Sequence, residues 1–219
     1  NAMGAKIEGA GTHRIIIEGG TDWKAAAHHI IPDRIEAGTY AVAAAITGGA
    51  LELVNARMEN LAAVIQALEM MGVNVWPSDR GLVVSRSGTL RTTDLTTEPY
   101  PGFPTDLQAQ FMALACCADG TSLIRETIFE NRFMHVPELA RLGADITLQG
   151  TTAVVRGGKP LKGAQVMATD LRASVCLVLA ALAAEGETVI NRVYHIDRGY
   201  EQLDRKLAQC GATIERLQK

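Results

Sequence analysis

Long apolar runs are missing from this sequence. The longest uninterrupted one, Val175 to Ala184, is bounded by Ser174 and Glu185 and falls far short of the roughly 20 residues a bilayer-spanning helix needs. An excess of either charge is missing too: 21 Lys and Arg stand against 24 Asp and Glu, a net charge of −3. No chain-wide basic field therefore exists to wrap nucleic acid by counterion release. Cysteine is scarce, and Cys116, Cys117, Cys176 and Cys210 form no C-x-x-C pair, which argues against a zinc site or a disulfide framework. All four fall in apolar stretches that read as helix and are taken as reduced core thiols. G-x-G-x-x-G, the P-loop and G-x-S-x-G are all absent, which removes the familiar routes to hydride transfer and ATP hydrolysis. What remains is 219 residues, 47% hydrophobic and 21% charged: a globular composition, with enough chain to bury a core.

The strongest signal present is a repeat. Gly4-Ala5-Lys6-Ile7, Gly72-Val73-Asn74-Val75, Gly143-Ala144-Asp145-Ile146 and Gly211-Ala212-Thr213-Ile214 recur at about 70-residue intervals, a period typical of stacked supersecondary units. The last three follow amphipathic stretches (61–71, 136–142 and 200–210), so each Gly reads as a left-handed helix cap running into a strand. Short β-rich runs follow at Arg14–Glu18, Leu82–Ser85 and Ala153–Arg156, behind turn residues such as Asp79-Arg80-Gly81, and so predict hairpins. Earlier in each unit an Ala-rich helix ends at a Gly before a strand, at Gly49, Gly120 and Gly186. The expected unit is helix, strand, helix, strand, turn, strand, present three times. Residues 1–3 read as a tag remnant and start Met, and residues 4–28 as the tail hairpin of a preceding domain absent from the chain. Residues 29–219 read as a domain of three repeats, ending in a last strand at 214–217 that lacks its hairpin partner.

Polar residues collect at equivalent points of the repeats. Helix starts at Pro32-Asp33-Arg34-Ile35-Glu36, Pro104-Thr105-Asp106-Leu107-Gln108 and Thr169-Asp170-Leu171-Arg172 each carry an Asp. Capping and the helix dipole account for Asp33 and Asp170, and Thr105 with Gln108 matches a capping box. Asp106 differs, because Tyr100-Pro101-Gly102-Phe103-Pro104 is a rigid approach that can aim its carboxylate at a ligand. Arg57, Arg132 and Arg198 fall in related strand-to-helix loops, where a guanidinium fork and backbone amides suit phosphate or carboxylate. A solvated salt bridge is the plainer reading of any one of them. His135 and His195 stand beside these arginines, either bonding substrate or holding a loop.

The strings Phe103–Gln110, Phe129–His135, Met167–Ser174 and Tyr194–Glu201, taken in order, closely resemble bacterial UDP-N-acetylglucosamine enolpyruvyl (1-carboxyvinyl) transferases. The resemblance runs from Gly4 to Lys219. It implies an α/β, inside-out barrel of about three such repeats, helices inside and sheets outside, forming the C-terminal half of a two-domain enzyme with substrates between the domains. The reaction implied is transfer of enolpyruvyl from phosphoenolpyruvate to the 3′-hydroxyl of UDP-N-acetylglucosamine with release of phosphate, the step that commits the sugar to cell-wall peptidoglycan. By motif, Asp106 corresponds to the base at the sugar hydroxyl, and Ile128 to a backbone contact with the nucleotide sugar. Arg132 and Arg198 correspond to arginines facing phosphoenolpyruvate, Arg198 moving on closure. Arg172 and Asp170 support that charged wall, and Glu130 lines it.

The resemblance implies no cofactor, no metal, and a cytoplasmic setting where both substrates occur. The family's Lys-Asn pair, its mobile loop with the proton donor and that loop's Arg belong to the other half, so this chain alone is expected to be inactive, with weak self-association through the exposed interdomain face. Two rivals stand beside this reading. One is a non-catalytic, repeat-built binding scaffold; the other is a 5-enolpyruvylshikimate-3-phosphate synthase-like transferase, which shares the implied fold but not these strings.

Overall fold

The computed structural model describes residues 1–20 and 22–217, and the chain divides after Pro32 into two compact units. The first unit holds one antiparallel hairpin, β1 (Lys6–Glu8) and β2 (Ile16–Glu18), in the register Ile7 opposite Ile17. Lys6 Nζ reaches Glu18 Oε1 across it at 2.9 Å.

The second unit carries the repeats. The first comprises α1 (Arg34–Thr47), β3 (Ala50–Val54), a 3-10 turn at Met58–Asn60, α2 (Ala62–Met70), β4 (Asn74–Pro77) and β5 (Gly81–Ser85). The second comprises β6 (Leu95–Thr96), a 3-10 turn at Thr105–Leu107, α3 (Gln108–Cys116), β7 (Thr121–Arg125), α4 (Val136–Arg141), β8 (Asp145–Gln149) and β9 (Thr152–Arg156). The third comprises β10 (Gln165–Met167), α5 (Val175–Ala183), β11 (Val189–Asn191), α6 (Tyr194–Asp197) and α7 (Leu203–Gln209).

The opening helices α1, α3 and α5 pack on one another. Every residue of α3 is buried, and α5 is apolar throughout. A helix hydrophobic on all sides belongs inside other structure, and here the sheets supply the outside. Strands β5 and β9 turn Leu82, Val84, Ala153 and Val155 inward, while Leu123, Trp76 and Leu148 of neighbouring strands face out. That alternation is the period of a sheet with one face on the core. Close approach at the centre needs Gly38 of α1, where a Cβ would come within 2.4 Å of the buried Leu107 side chain in the turn before α3.

The helix-to-strand glycines Gly72, Gly143 and Gly211 have φ of +86°, +92° and +98°, the left-handed conformation that ends a helix at low cost only for glycine. In the first two repeats the strand after this Gly pairs antiparallel with its hairpin partner, β4 with β5 and β8 with β9. The sheets run β3-β5-β4 and β6-β7-β9-β8. The third repeat departs from the expected pattern: residues 212–217 form no strand, because no partner strand lies beside them among the described residues, and β11 pairs only with β10, in parallel. Strands β6 and β10 were not legible in the sequence, being two and three residues long.

Three local expectations are corrected. Asp33 does cap α1, accepting from the amides of Ile35 and Glu36 at 2.8 and 3.2 Å, but Thr105 forms no capping box with Gln108, since its hydroxyl is engaged elsewhere. The third helix starts at Val175 rather than at 169–172, which instead form turns held by Asp170 and Ser174. Of the cysteines, Cys116 and Cys176 are buried, but Cys117 is only partly so and Cys210, just past α7, is exposed.

Candidate functional site

Two charged clusters stand at the N-terminal ends of α3 and α5. In the first, the turn 105–107 and the long crossing from β7 to α4 meet. Arg132 Nη2 donates to Asp106 Oδ1 at 2.5 Å, and its Nη1 donates to Thr105 Oγ1 at 2.7 Å. The Arg132 guanidinium also lies over the Phe129 ring, 5.1 Å from its centroid. Thr105 Oγ1 in turn donates to Glu126 Oε2 at 2.8 Å. The other oxygen of Glu126 accepts from Thr97 Oγ1 and from the amides of Ile128 and Phe129, at 2.8, 2.8 and 3.1 Å. The Arg132 side chain is only 19% exposed against 39% for Asp106, so the cation is held from behind and the carboxylate is presented to solvent.

In the second cluster the same asymmetry recurs. Arg172 Nη2 donates to Asp33 Oδ2 at 2.8 Å, Nη1 donates to the carbonyl of Gly199 at 2.9 Å, and the guanidinium sits 5.2 Å from the Tyr200 ring centroid. Asp170 Oδ1 accepts from the amides of Arg172 and Ala173 at 2.7 and 2.6 Å, which fixes the turn that aims Arg172. Burial works to raise the Asp33 carboxyl, but the Arg172 bond and the amides of Glu36 and Ile35 outweigh it and leave it below the ordinary value.

A buried polar bridge joins the clusters. Gln110 Nε2 donates to the Asp106 carbonyl at 2.8 Å and to Tyr200 Oη at 3.3 Å, while Tyr200 Oη lies 2.8 Å from Thr39 Oγ1. Thr39 donates to the Ile35 carbonyl, so the Tyr200 proton goes to Thr39. His135 sits at the head of α4, 1% exposed, with neither ring nitrogen bonded among the described residues. Burial pulls its pKa down to about 4, against the raising charge of Asp170 and with the help of Arg132.

Of the residues singled out in the sequence, Asp106 and Arg132 are bonded to each other, Ile128 joins them through Glu126, and Asp170 and Arg172 form the second cluster. Arg198 and Glu130 are exposed, and among the described residues neither side chain makes a hydrogen bond or ion pair. The string 194–201 is not a loop equivalent to 130–135, because its first four residues form α6 and Arg198 follows that helix. Reading the sequence missed Glu126, Thr97, Gln110 and Tyr200. Only Tyr200 and Gln110 lay inside the recognised strings, and nothing local marks Glu126 as buried. Three of the thiols are poor nucleophiles: burial raises Cys117 to about 11 and Cys116 to about 12, and pushes Cys176 well above its ordinary value. No group of three or more potential metal ligands occurs among the described residues, nor any helix long and apolar enough to cross a membrane.

Inner helices wrapped by outward sheets, repeated about a common centre, are the inside-out αβ architecture of the enolpyruvyl transferases, and solved structures agree. The enolpyruvyl transferase NikO from Streptomyces tendae superposes with a TM-score of 0.85 at 31% identity, over 98% of this chain and 52% of that one. An EPSP synthase from Acinetobacter baumannii gives 0.77 at 20% identity over 99% and 54%, a likeness of fold. A family model described as EPSP synthase (3-phosphoshikimate 1-carboxyvinyltransferase) matches residues 1–207, and the chain belongs to that family. Within it, UDP-N-acetylglucosamine 1-carboxyvinyltransferase 2 of Mesorhizobium japonicum is 77% identical over 99% of this chain, and the UDP-N-acetylglucosamine 1-carboxyvinyltransferase of Gluconacetobacter diazotrophicus 58% identical over all of it. The chain spans 52% of the length of each.

Proposed function

We propose that this segment is the C-terminal half of a UDP-N-acetylglucosamine 1-carboxyvinyltransferase, a cytoplasmic enzyme that moves the enolpyruvyl group of phosphoenolpyruvate to the sugar 3′-hydroxyl and releases phosphate. The observation carrying this reading is the Asp106–Arg132 pair, a half-open carboxylate whose other face is held by a mostly buried guanidinium. Asp106 accepts the proton of the acceptor hydroxyl as its oxygen attacks C2 of the enolpyruvyl group. The methylene carbon takes a proton from a donor on the other half, giving a tetrahedral adduct, and loss of a proton from the resulting methyl group to a base on that other half then expels phosphate as the enol ether double bond forms. Asp106 is the general base, a role worth about 10²–10⁴-fold. Arg132 and Arg198 meet the phosphate and carboxylate charges, Arg198 from an exposed position free to swing in. Asp170 and Arg172 stiffen that wall, Glu130 lines it, and the Ile128 backbone meets the nucleotide sugar.

Residues 4–28 are read as belonging with the other half, and residues 29–219 as one three-repeat domain. An interdomain site with a single wall neither excludes water nor fixes two substrates, so the segment alone is inactive. Exposed Ile128, Phe129, Met134 and Tyr194 support weak self-association of the isolated segment. Identities of 58% and 77% to nucleotide-sugar transferases, against 20% to an EPSP synthase, favour this acceptor over shikimate 3-phosphate. The test is phosphate release from phosphoenolpyruvate by a full-length enzyme carrying this segment, with each acceptor offered separately and the segment alone run beside it. Release with UDP-N-acetylglucosamine only, and none from the segment, is expected; no release with either acceptor would overturn the reading.

A further inference from the structure

Glu126 is the only buried carboxylate among the described residues, 2% exposed, and no cation touches it. Its charge is met instead by four neutral donors: the hydroxyls of Thr97 and Thr105 and the amides of Ile128 and Phe129. Hydrogen bonds to an ionised acceptor are the strong ones, and an ionised carboxylate only accepts. That last point fixes directions. Thr105 has one hydroxyl proton, and Glu126 takes it. The Thr105 oxygen can then only accept, and what it accepts is Arg132 Nη1–H at 2.7 Å. Arg132 is thereby turned so that Nη2 meets Asp106 Oδ1. The second oxygen of Glu126 meanwhile pins the backbone of 128–129, and Thr97, bonded to that same oxygen, accepts from the amide of Thr127 at 2.9 Å.

We propose that Glu126 is the positioning residue of this wall: one oxygen sets Arg132 and the Asp106 carboxylate through Thr105, and the other sets the backbone at Ile128. The proposal rests on the preceding reading of Asp106 and Ile128. The two arms are separable. In Glu126→Gln the side-chain oxygen stays with the three donors from Thr97, Ile128 and Phe129, since the opposite flip would lose three bonds instead of one. The amide nitrogen then faces Thr105, donates where an acceptor stood, competes with Arg132 for the Thr105 oxygen and leaves the Thr105 proton without its acceptor.

The experiment uses a full-length enzyme carrying this segment, with Glu126→Gln, Thr105→Val, the double variant and Glu126→Ala, measuring kcat, KM for UDP-N-acetylglucosamine and melting temperature for each. Expected are a kcat about 10- to 100-fold lower in Glu126→Gln, with KM for the nucleotide sugar within about threefold of wild type because the 128–129 backbone stays pinned. Thr105→Val should match it, and the double variant should be no worse than either, as for two links of one chain. Glu126→Ala, which loses both arms, should raise KM as well if it folds. A folded Glu126→Gln enzyme with wild-type kcat, or fully additive losses in the double variant, would overturn the positioning role while leaving the activity established. A wild-type enzyme silent with the nucleotide sugar would overturn both readings.

Discussion

The second and third repeats share a core helix, a strand and a capping glycine, and part company where the strand crosses to the next helix. Leaving β7, the chain takes residues 126–135 to reach α4, buries Glu126 on the way and folds Arg132 back onto Asp106. Leaving β11, it enters α6 almost at once, and the corresponding arginine, Arg198, emerges beyond that helix and exposed. The first repeat does neither: Arg57 is exposed at the cap of a 3-10 turn. Similar sequence positions thus give one arginine bonded to a carboxylate and two exposed ones. A duplicated core dictates where a crossing begins, whereas crossing length and its buried anchors dictate what it can hold, as expected when function is grafted onto a scaffold.

The sharpest way to break this comparison is to remove the arginines one at a time from a full-length enzyme. Arg132→Ala should lower kcat/KM by about 10²–10³-fold, the loss typical of a preorganised charge partner, while Arg57→Ala should leave it unchanged. Equal losses would mean the repeats contribute alike. Comparable in energy is a pH effect peculiar to the second repeat. His135 is held neutral with its pKa lowered from 6.5 to about 4, so the unfolded chain binds a proton across that interval and the folded one does not. Its contribution is intact above pH 6.5 and is lost as pH falls toward 4, about 3 kcal/mol in all. Urea unfolding of this chain at pH 7, 5.5 and 4.5 should show the decline, and His135→Leu should flatten it. The smallest effect compares the caps. Gly143→Ala strains only its own backbone, with open space around the new methyl, and should cost about 1 kcal/mol. Gly72→Ala should cost more, as read by melting temperature, because its Cβ would also press the Thr89 carbonyl at 3.3 Å.

Much of the framework was legible because period and punctuation are local properties. Positive-φ glycines, apolar helices and three hairpins announce themselves within a few residues. The last strand expected at 214–217 does not form, because a strand is defined by its partner, and residues 212–217 have none beside them among those described. The site divides along the same line. Asp106, Arg132, Asp170 and Arg172 stand in strings that a resemblance can flag, yet the bonds joining Arg132 to Asp106 and Arg172 to Asp33 span 26 and 139 residues. Glu126 escaped because its burial follows from Thr97 and Thr105 closing over it, which no pattern at Arg125-Glu126-Thr127 reveals.

Thr39, Gln110 and Tyr200 come one from each repeat and meet in a single buried contact. Stacked repeats touch only their neighbours and can open from an end, one unit at a time. Here no repeat is terminal, since each contributes to the same central point and its departure strands polar groups of the other two. Opening therefore has no inexpensive first step, and the unit should melt in one transition, with the two charged clusters persisting or vanishing together.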